Sequence, residues 1–318
     1  MLLLAPSVGA AQEGLNESSA QSLLLPVGAR IVGLGGAGVA SRYGGESVLL
    51  NPAALAFAAA REASLLHGQD WRARRDLLTV VVPTRRLGTF AVTGYLVDFG
   101  QQALTDENGA EIGSTYPRNV ALTASYASTI TRSFALGLTY RLYQERKDCS
   151  GVGCDLVEDE AALSATTSMV DVGAQYDFGK RAPLVLGASV RHLGLRLQVK
   201  DSDQKDPLPT QAIVGARYEV SAIARRVQDA RFTVTADVAR GISAGGSDPS
   251  FHVGAEGSFR ERVLLRGGWS QRRGEDSGPS VGFGFQANRW GLDVARQLSG
   301  VSVDVGEPPT FVAFRYNF

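Results

Sequence analysis

The chain has 318 residues, 37 of them glycine, and its 32 basic and 32 acidic side chains cancel at neutral pH. Balanced charge provides no global field for a nucleic acid or an acidic partner, and the roughly 18-residue apolar run that a membrane helix needs is absent. Mean hydropathy near zero fits a transmembrane barrel, whose lipid-facing and lumen-facing residues cancel in any average, but a soluble β-protein gives the same value. The patterning has to decide.

Residues 1–12, MLLLAPSVGAAQ, read as the tail of a secretory signal, with Leu2–Leu4 as a short apolar core and Val8-Gly9-Ala10 as a small-residue cleavage site. No basic stretch precedes them. The segment 13–61 beyond it is a leader, and its part from residue 26 is rich in glycine. Gly33-Leu34-Gly35-Gly36-Ala37-Gly38 matches GxGxxG formally. A dinucleotide site also needs a crossover helix, a parallel strand and an acidic residue about twenty positions on. Here the chain turns instead through Tyr43-Gly44-Gly45 toward a run of strands, so these glycines read as places of close backbone approach. Asn51 before Pro52 favours an extended or turn geometry, and Ala53–Ala60 is expected to form a short helix.

From residue 62 onward, alternation with a period of two recurs. Phe134, Leu136, Leu138, Tyr140 and Leu142 oppose Ala135, Gly137, Thr139, Arg141 and Tyr143, and Val170–Phe178 behaves alike. Strands point successive side chains to opposite faces, so each segment has one apolar face and one small or polar face. The pattern predicts strands at 62–68, 76–83, 88–98, 118–127, 133–144, 169–178, 183–193, 210–220, 231–239, 250–259, 262–270, 279–287, 290–297 and 311–318. That is an all-β fold, a transmembrane antiparallel barrel of about fourteen strands over 62–318 with an N-terminal internal hatch. Connections after even strands are short except 221–230, and they are basic (Arg85, Arg86, Lys180, Arg181, Arg225, Arg226, Arg289). Those after odd strands are longer and acidic (Asp106, Glu107, Glu111, Asp155, Glu158, Asp159, Glu160, Asp201, Asp203). Short periplasmic turns and long outer loops are the asymmetry of bacterial outer-membrane barrels.

If the apolar face meets lipid, the lumen receives Arg141, Asp171, Asp177, Arg191, Arg217, Glu219, Asp237, His252, Glu256, Arg266, Asp293 and Arg315. An open ion-selective pore would carry one sign of charge; a mixed lumen suits a barrel packed around a plug. Residues 26–61 are expected to be that plug, bonded to wall charges such as Arg141, Arg217, Asp237 and Arg266. Cys149 and Cys154, in KDCSGVGCD, are expected to form a disulfide at the tip of an outer loop. The segment FVAFRYNF sets Val312, Phe314, Tyr316 and Phe318 on one face and resembles the terminal strand read by the barrel assembly machinery. Nothing points to an enzyme, cofactor or metal: G-x-S-x-G, H-E-x-x-H and P-loop motifs are absent, and His67, His192 and His252 fall on separate strands.

The stretch GLGGAGVASRYGGESVLLNPAALAF is similar to the N-terminal hatch of FadL-superfamily barrels, a Gly-rich run followed by an Asn-Pro-Ala element, here Asn51, Pro52 and Ala53. More narrowly it resembles the PorV/PorQ group, as does the continuation HGQDWRARRDLLTVVVPTRRLGTFAVTGYLVDFG. The likeness covers about residues 26–100. One departure is Gly44-Gly45-Glu46, which stands where an acidic pair is common. The resemblance implies a fourteen-stranded barrel with an internal hatch, partnered by outer-membrane lipid and the assembly machinery. The narrower form, which the polar loops and charge-rich lumen make the leading expectation over the channel alternative, implies an accessory of protein export, in contact with secreted cargo or secretion components. The broader one implies a channel for small hydrophobic molecules.

Overall fold

The computed structural model describes residues 20–24, 27–69, 73–156, 163–199, 205–221, 227, 229–243, 248–271, 277–298 and 308–318. The signal-like residues 1–12, Arg225, Arg226 and the loop acids Glu158, Asp159, Glu160, Asp201 and Asp203 lie outside them.

Fourteen strands close into one antiparallel barrel. They are β1 (Glu62–Gln69), β2 (Arg74–Thr84), β3 (Gly88–Asp98), β4 (Glu111–Thr129), β5 (Phe134–Ser150), β6 (Leu163–Asp177) and β7 (Leu184–Gly194). The second half holds β8 (Gln211–Glu219), β9 (Ala230–Gly241), β10 (Ser250–Phe259), β11 (Val263–Gln271), β12 (Gly278–Ala287), β13 (Trp290–Gln297) and β14 (Thr310–Asn317). Each pairs with its neighbour in sequence, and β14 returns to β1 in register from Glu62↔Asn317 to Gln69↔Thr310. Closure leaves no open edge, which is a condition for strands in hydrocarbon, where an unpaired backbone group costs several kcal/mol.

Alternation decides which face is which. On β5, Leu136, Leu138, Tyr140 and Leu142 are 42 to 49 % exposed on the outside, while Ala135, Thr139 and Arg141 are buried within. The same holds around the wall, from Leu65 and Leu78 to Phe283 and Phe314. With an apolar belt of this kind on the outside of a closed barrel, the chain spans a membrane.

The fourteen strands match the alternation, yet three of them outrun it. The strands predicted at 118–127, 133–144 and 169–178 extend to Glu111, Ser150 and Leu163 at their outer ends. There the ladder continues through pairs such as Arg118↔Arg146 and Tyr116↔Asp148, and the short strand Gln102–Thr105 joins its side. Beyond the lipid belt neither face must be apolar, so the periodic signal fades while backbone pairing persists. The cysteines move with this correction. Cys149 sits on β5 opposite Thr115 rather than in a loop, and Cys154 lies in the single helical turn Gly153–Leu156. A disulfide joins them with 5.9 Å between their Cα atoms.

Candidate functional site

The lumen is occupied by the chain's own N-terminal segment. After Gly28, whose φ of 104° suits glycine, the five-residue helix α1 (Ala29–Gly33) packs against β11–β14. A 3-10 turn at Gly44–Leu49 comes next, then a second at Pro52–Phe57 against β3–β6. The helix expected over Ala53–Ala60 is therefore a tighter 3-10 turn that ends at Phe57. Pro52 stands at its first position, where a missing N–H costs nothing.

Polar contacts hold this segment at several places. Among them are Arg42 to Asp177 (2.8 Å), the Gly45 N–H to Glu62 (2.8 Å) and the Gln175 amide to the Val39 and Ser41 carbonyls. Four further sets hold it elsewhere. The first is Asp293, fully buried on β13, which accepts from three guanidiniums. These are Arg30 of the segment (Nε, 3.2 Å), Arg266 of β11 (Nη1, 2.7 Å) and Arg315 of β14 (Nη2, 3.0 Å). Arg266 donates also to Glu256 at 2.6 Å, and the amide oxygen of Gln286, turned to face Arg30 and Arg315, completes the cluster. The Arg30 backbone N–H donates to the buried Glu46, whose carboxyl is pushed up to about 7 by burial and by the nearby Asp293. The second is Asp237 of β9, which accepts from the backbone N–H groups of Gly38 (2.6 Å) and Val39 (2.8 Å).

Asn51 forms the third. Its Nδ2 donates to the carbonyls of Val39 (2.8 Å) and Ala174 (3.0 Å), and its Oδ1 accepts from the Ala53 N–H at 3.0 Å, capping the turn. One side chain thus ties the turn to the glycine-rich run and to the wall. The fourth set surrounds the Gly35 peptide. Its N–H donates to Ser280 Oγ (2.9 Å) and its carbonyl meets His252 Nδ1 (2.8 Å). Ser250 Oγ holds the other ring nitrogen of His252 at 3.0 Å. The formal GxGxxG is thus pressed against the wall.

The wall charges divide. Asp237 and Asp293 bond the segment, and Glu256 and Arg315 join the same cluster. Arg141 does not reach the segment as expected; it pairs with Asp171 of β6 at 3.0 Å, and Asp171 also accepts from the His192 backbone N–H. Arg266 is likewise bonded to wall carboxylates rather than to the segment. Arg217 is half-buried and, among the described residues, has no hydrogen bond to the segment. An arginine needs a carboxylate where it is buried, and the wall supplied one nearer than the segment's backbone. Phe314 and Tyr316, read as an assembly signal, lie on the outer face. Their rings adjoin Trp290, at 5.0 and 4.3 Å between centroids, and the Phe318 ring stacks at 6.3 Å from Tyr316.

Pattern reading missed two things. One is Arg30, a cation in an apolar run, which shares the single carboxylate of Asp293 with Arg266 and Arg315 and so had no local partner to announce it. The other is glycine in the wall. Gly137, Gly173, Gly187, Gly254 and Gly268 face inward where a Cβ would collide with Ala53, Asn51, Val39, Leu34 and Gly35 respectively. Close approach is therefore shared by both surfaces. We expect Gly173→Val to displace the Asn51 turn while leaving strand pairing intact. Limited proteolysis should then cut within 30–55 in a barrel that still shifts normally on a heated gel; unchanged protection would contradict this.

Between the segment and the wall lies a cavity of about 80 Å³. Leu23, Leu24, Val27, Ile31, Leu49 and Leu50 give it an apolar side, and Thr93, Thr123, Arg141 and Arg191 a polar one. A shallower groove of about 670 Å³ runs along the outer face where Gly94 presents no side chain. Tyr95, next in the chain, packs inward and lines the cavity.

No family model and no curated protein matches the chain. Solved structures do. The toluene transporter TbuX of Ralstonia pickettii is similar with a TM-score of 0.62 at 13 % identity, over 92 % of this chain and 98 % of that one. The toluene transporter TodX of Pseudomonas putida gives 0.60 at 14 %, over 92 % and 98 %. A FadL homologue of Pseudomonas aeruginosa gives 0.56 at 13 %, over 92 % and 99 %. At such identities the likeness is one of fold, and it spans nearly the whole of each chain. A closed fourteen-stranded barrel of this type with an outward apolar belt is a bacterial outer-membrane protein.

Proposed function

We propose that the barrel is a channel for small hydrophobic molecules, with residues 26–61 as its internal hatch. The observation that carries this reading is the cavity beside the hatch, apolar on the side formed by Leu23, Leu24, Val27 and Ile31. At about 80 Å³ it is smaller than the roughly 150 Å³ that holds a benzene, so passage of such a ligand also requires the hatch to shift. Apolar pockets with a few placed polar groups are the usual form of small-molecule sites. The structural neighbours TbuX and TodX are named as toluene transporters, in keeping with such a ligand. The export-accessory reading rests on the likeness of 26–100 to the PorV/PorQ group alone.

Toluene uptake by cells that lack other hydrocarbon channels tests the proposal. The full chain should raise the initial rate. Leu24→Asp places a carboxylate against the apolar side and should lower the gain roughly ten-fold, since an unpaired charge facing an apolar ligand costs more than 1 kcal/mol. Leu24→Met should keep it. An unaltered chain that inserts fully and leaves uptake unchanged would refute the channel reading.

A further inference from the structure

The short-turn end of the barrel carries a surplus of guanidinium. Arg85 and Arg86 lie in the β2–β3 turn, Arg132 in β4–β5, Arg181 in β6–β7, Arg262 in β10–β11 and Arg289 in β12–β13, and all six are exposed. Among the described residues none of the six makes a side-chain hydrogen bond or ion pair, whereas three acids nearby are already engaged. Glu261 pairs with Arg231 at 2.9 Å, Asp229 with Arg260 at 3.5 Å and Asp177 with Arg42 at 2.8 Å. The turns are tight, so these side chains start close to the last ladder pairs, Thr84↔Gly88 and Ala287↔Trp290 among them.

Just inside them the outer face carries aromatics. Phe90 lies 5.1 Å from Tyr126, Tyr176 4.9 Å from Phe178 and Trp290 4.3 Å from Tyr316, measured between ring centroids. Aromatic girdles mark the level of the headgroups on a membrane barrel. The arginines therefore stand at phosphate depth. They are spread over five turns around the circumference rather than gathered in one patch, which fits a bilayer leaflet and not a protein docked at one place. A guanidinium binds phosphate through two parallel hydrogen bonds and is more weakly hydrated than an ammonium.

We propose that this end is a collar for anionic phospholipid headgroups of the periplasmic leaflet, and that it sets the depth and orientation of the barrel. The opposite end bears acids instead, with Asp106 and Glu107 in its β3–β4 connection and Glu111 at the start of β4. The two ends thus differ in which leaflet chemistry they favour.

Trp290 reports on the collar directly, being 51 % exposed beside Arg289. The full chain with Trp71→Phe and Trp269→Phe is inserted into phosphatidylcholine vesicles. These contain equal fractions of brominated phosphatidylglycerol or brominated phosphatidylcholine. The brominated phosphatidylglycerol should quench Trp290 with roughly a five-fold preference, the fold-change of one arginine contact with an anionic leaflet. Gln at all six arginines should abolish the preference. Gln at Arg74, Arg240 and Arg296, exposed near the other end, should not. If the sixfold variant fails to insert, Arg289→Gln alone should lower the preference by roughly half. Equal quenching by the two lipids in the unaltered chain overturns the collar, as does equal loss in the control. The leaflet is tested in cells with Arg262→Cys in a chain carrying Cys149→Ser and Cys154→Ser. A polymer-linked maleimide should label it only after the outer membrane is permeabilised. Labelling of intact cells would place the collar on the outer surface and overturn the assignment.

Discussion

Deleting residues 30–55 is expected to leave a barrel that folds and to turn it into an ion-conducting pore. Each strand from β1 to β14 takes its ladder bonds from other strands, and the N-terminal segment contributes none. Folding should therefore survive the loss. Conductance should not stay low, because the segment fills the lumen across its width, from Asp293 on one wall to the Ala174 carbonyl on another. Without it, Asp237 and Asp293 face water along an open path, and a fourteen-stranded barrel is wider than its own side chains can fill. Planar-bilayer recording compares intact and deleted protein at matched insertion. If the intact chain already conducts like a porin and the deletion adds nothing, the segment is no plug.

The second large effect is expected at Asp293. Three guanidiniums converge on this one carboxylate, and it has no exposed surface. Asp293→Ala leaves Arg30, Arg266 and Arg315 with a single wall carboxylate, Glu256, bonded to one of them. Removing one partner of a buried ionic group costs roughly 3–5 kcal/mol, because the remaining charge stays buried without compensation. The variant should unfold from lipid vesicles at clearly lower urea concentration and admit ions. Arg30→Met removes only the segment's share, so it should loosen the segment with a smaller loss of barrel stability. An Asp293→Ala barrel within about 1 kcal/mol of the unaltered chain would mean that water already solvates the cluster.

Sequence by itself determined the features that obey a local rule applied many times. A strand between lipid and lumen must alternate, so Leu136, Leu138 and Tyr140 announce the outer face of β5 without reference to any other strand. The number of strands and the parity of the turns come out in the same way. The Asn51–Pro52 turn was legible because its cap is made within three residues, Asn51 Oδ1 to the Ala53 N–H. Tertiary structure decided the rest. That Asp293 would meet Arg30, across 263 positions, depends on where closure brings β13 relative to α1. Whether Arg141 served the plug or the wall turned on Asp171 lying nearer, on the adjacent strand. The inward glycines had a signal, a missing side chain on the lumen face, but which backbone they admit is set by the path of a segment more than a hundred residues away from most of them. The outer ends of β4, β5 and β6 lay beyond the reach of periodicity, because outside the lipid belt backbone pairing alone defines a strand and side-chain polarity no longer reports it.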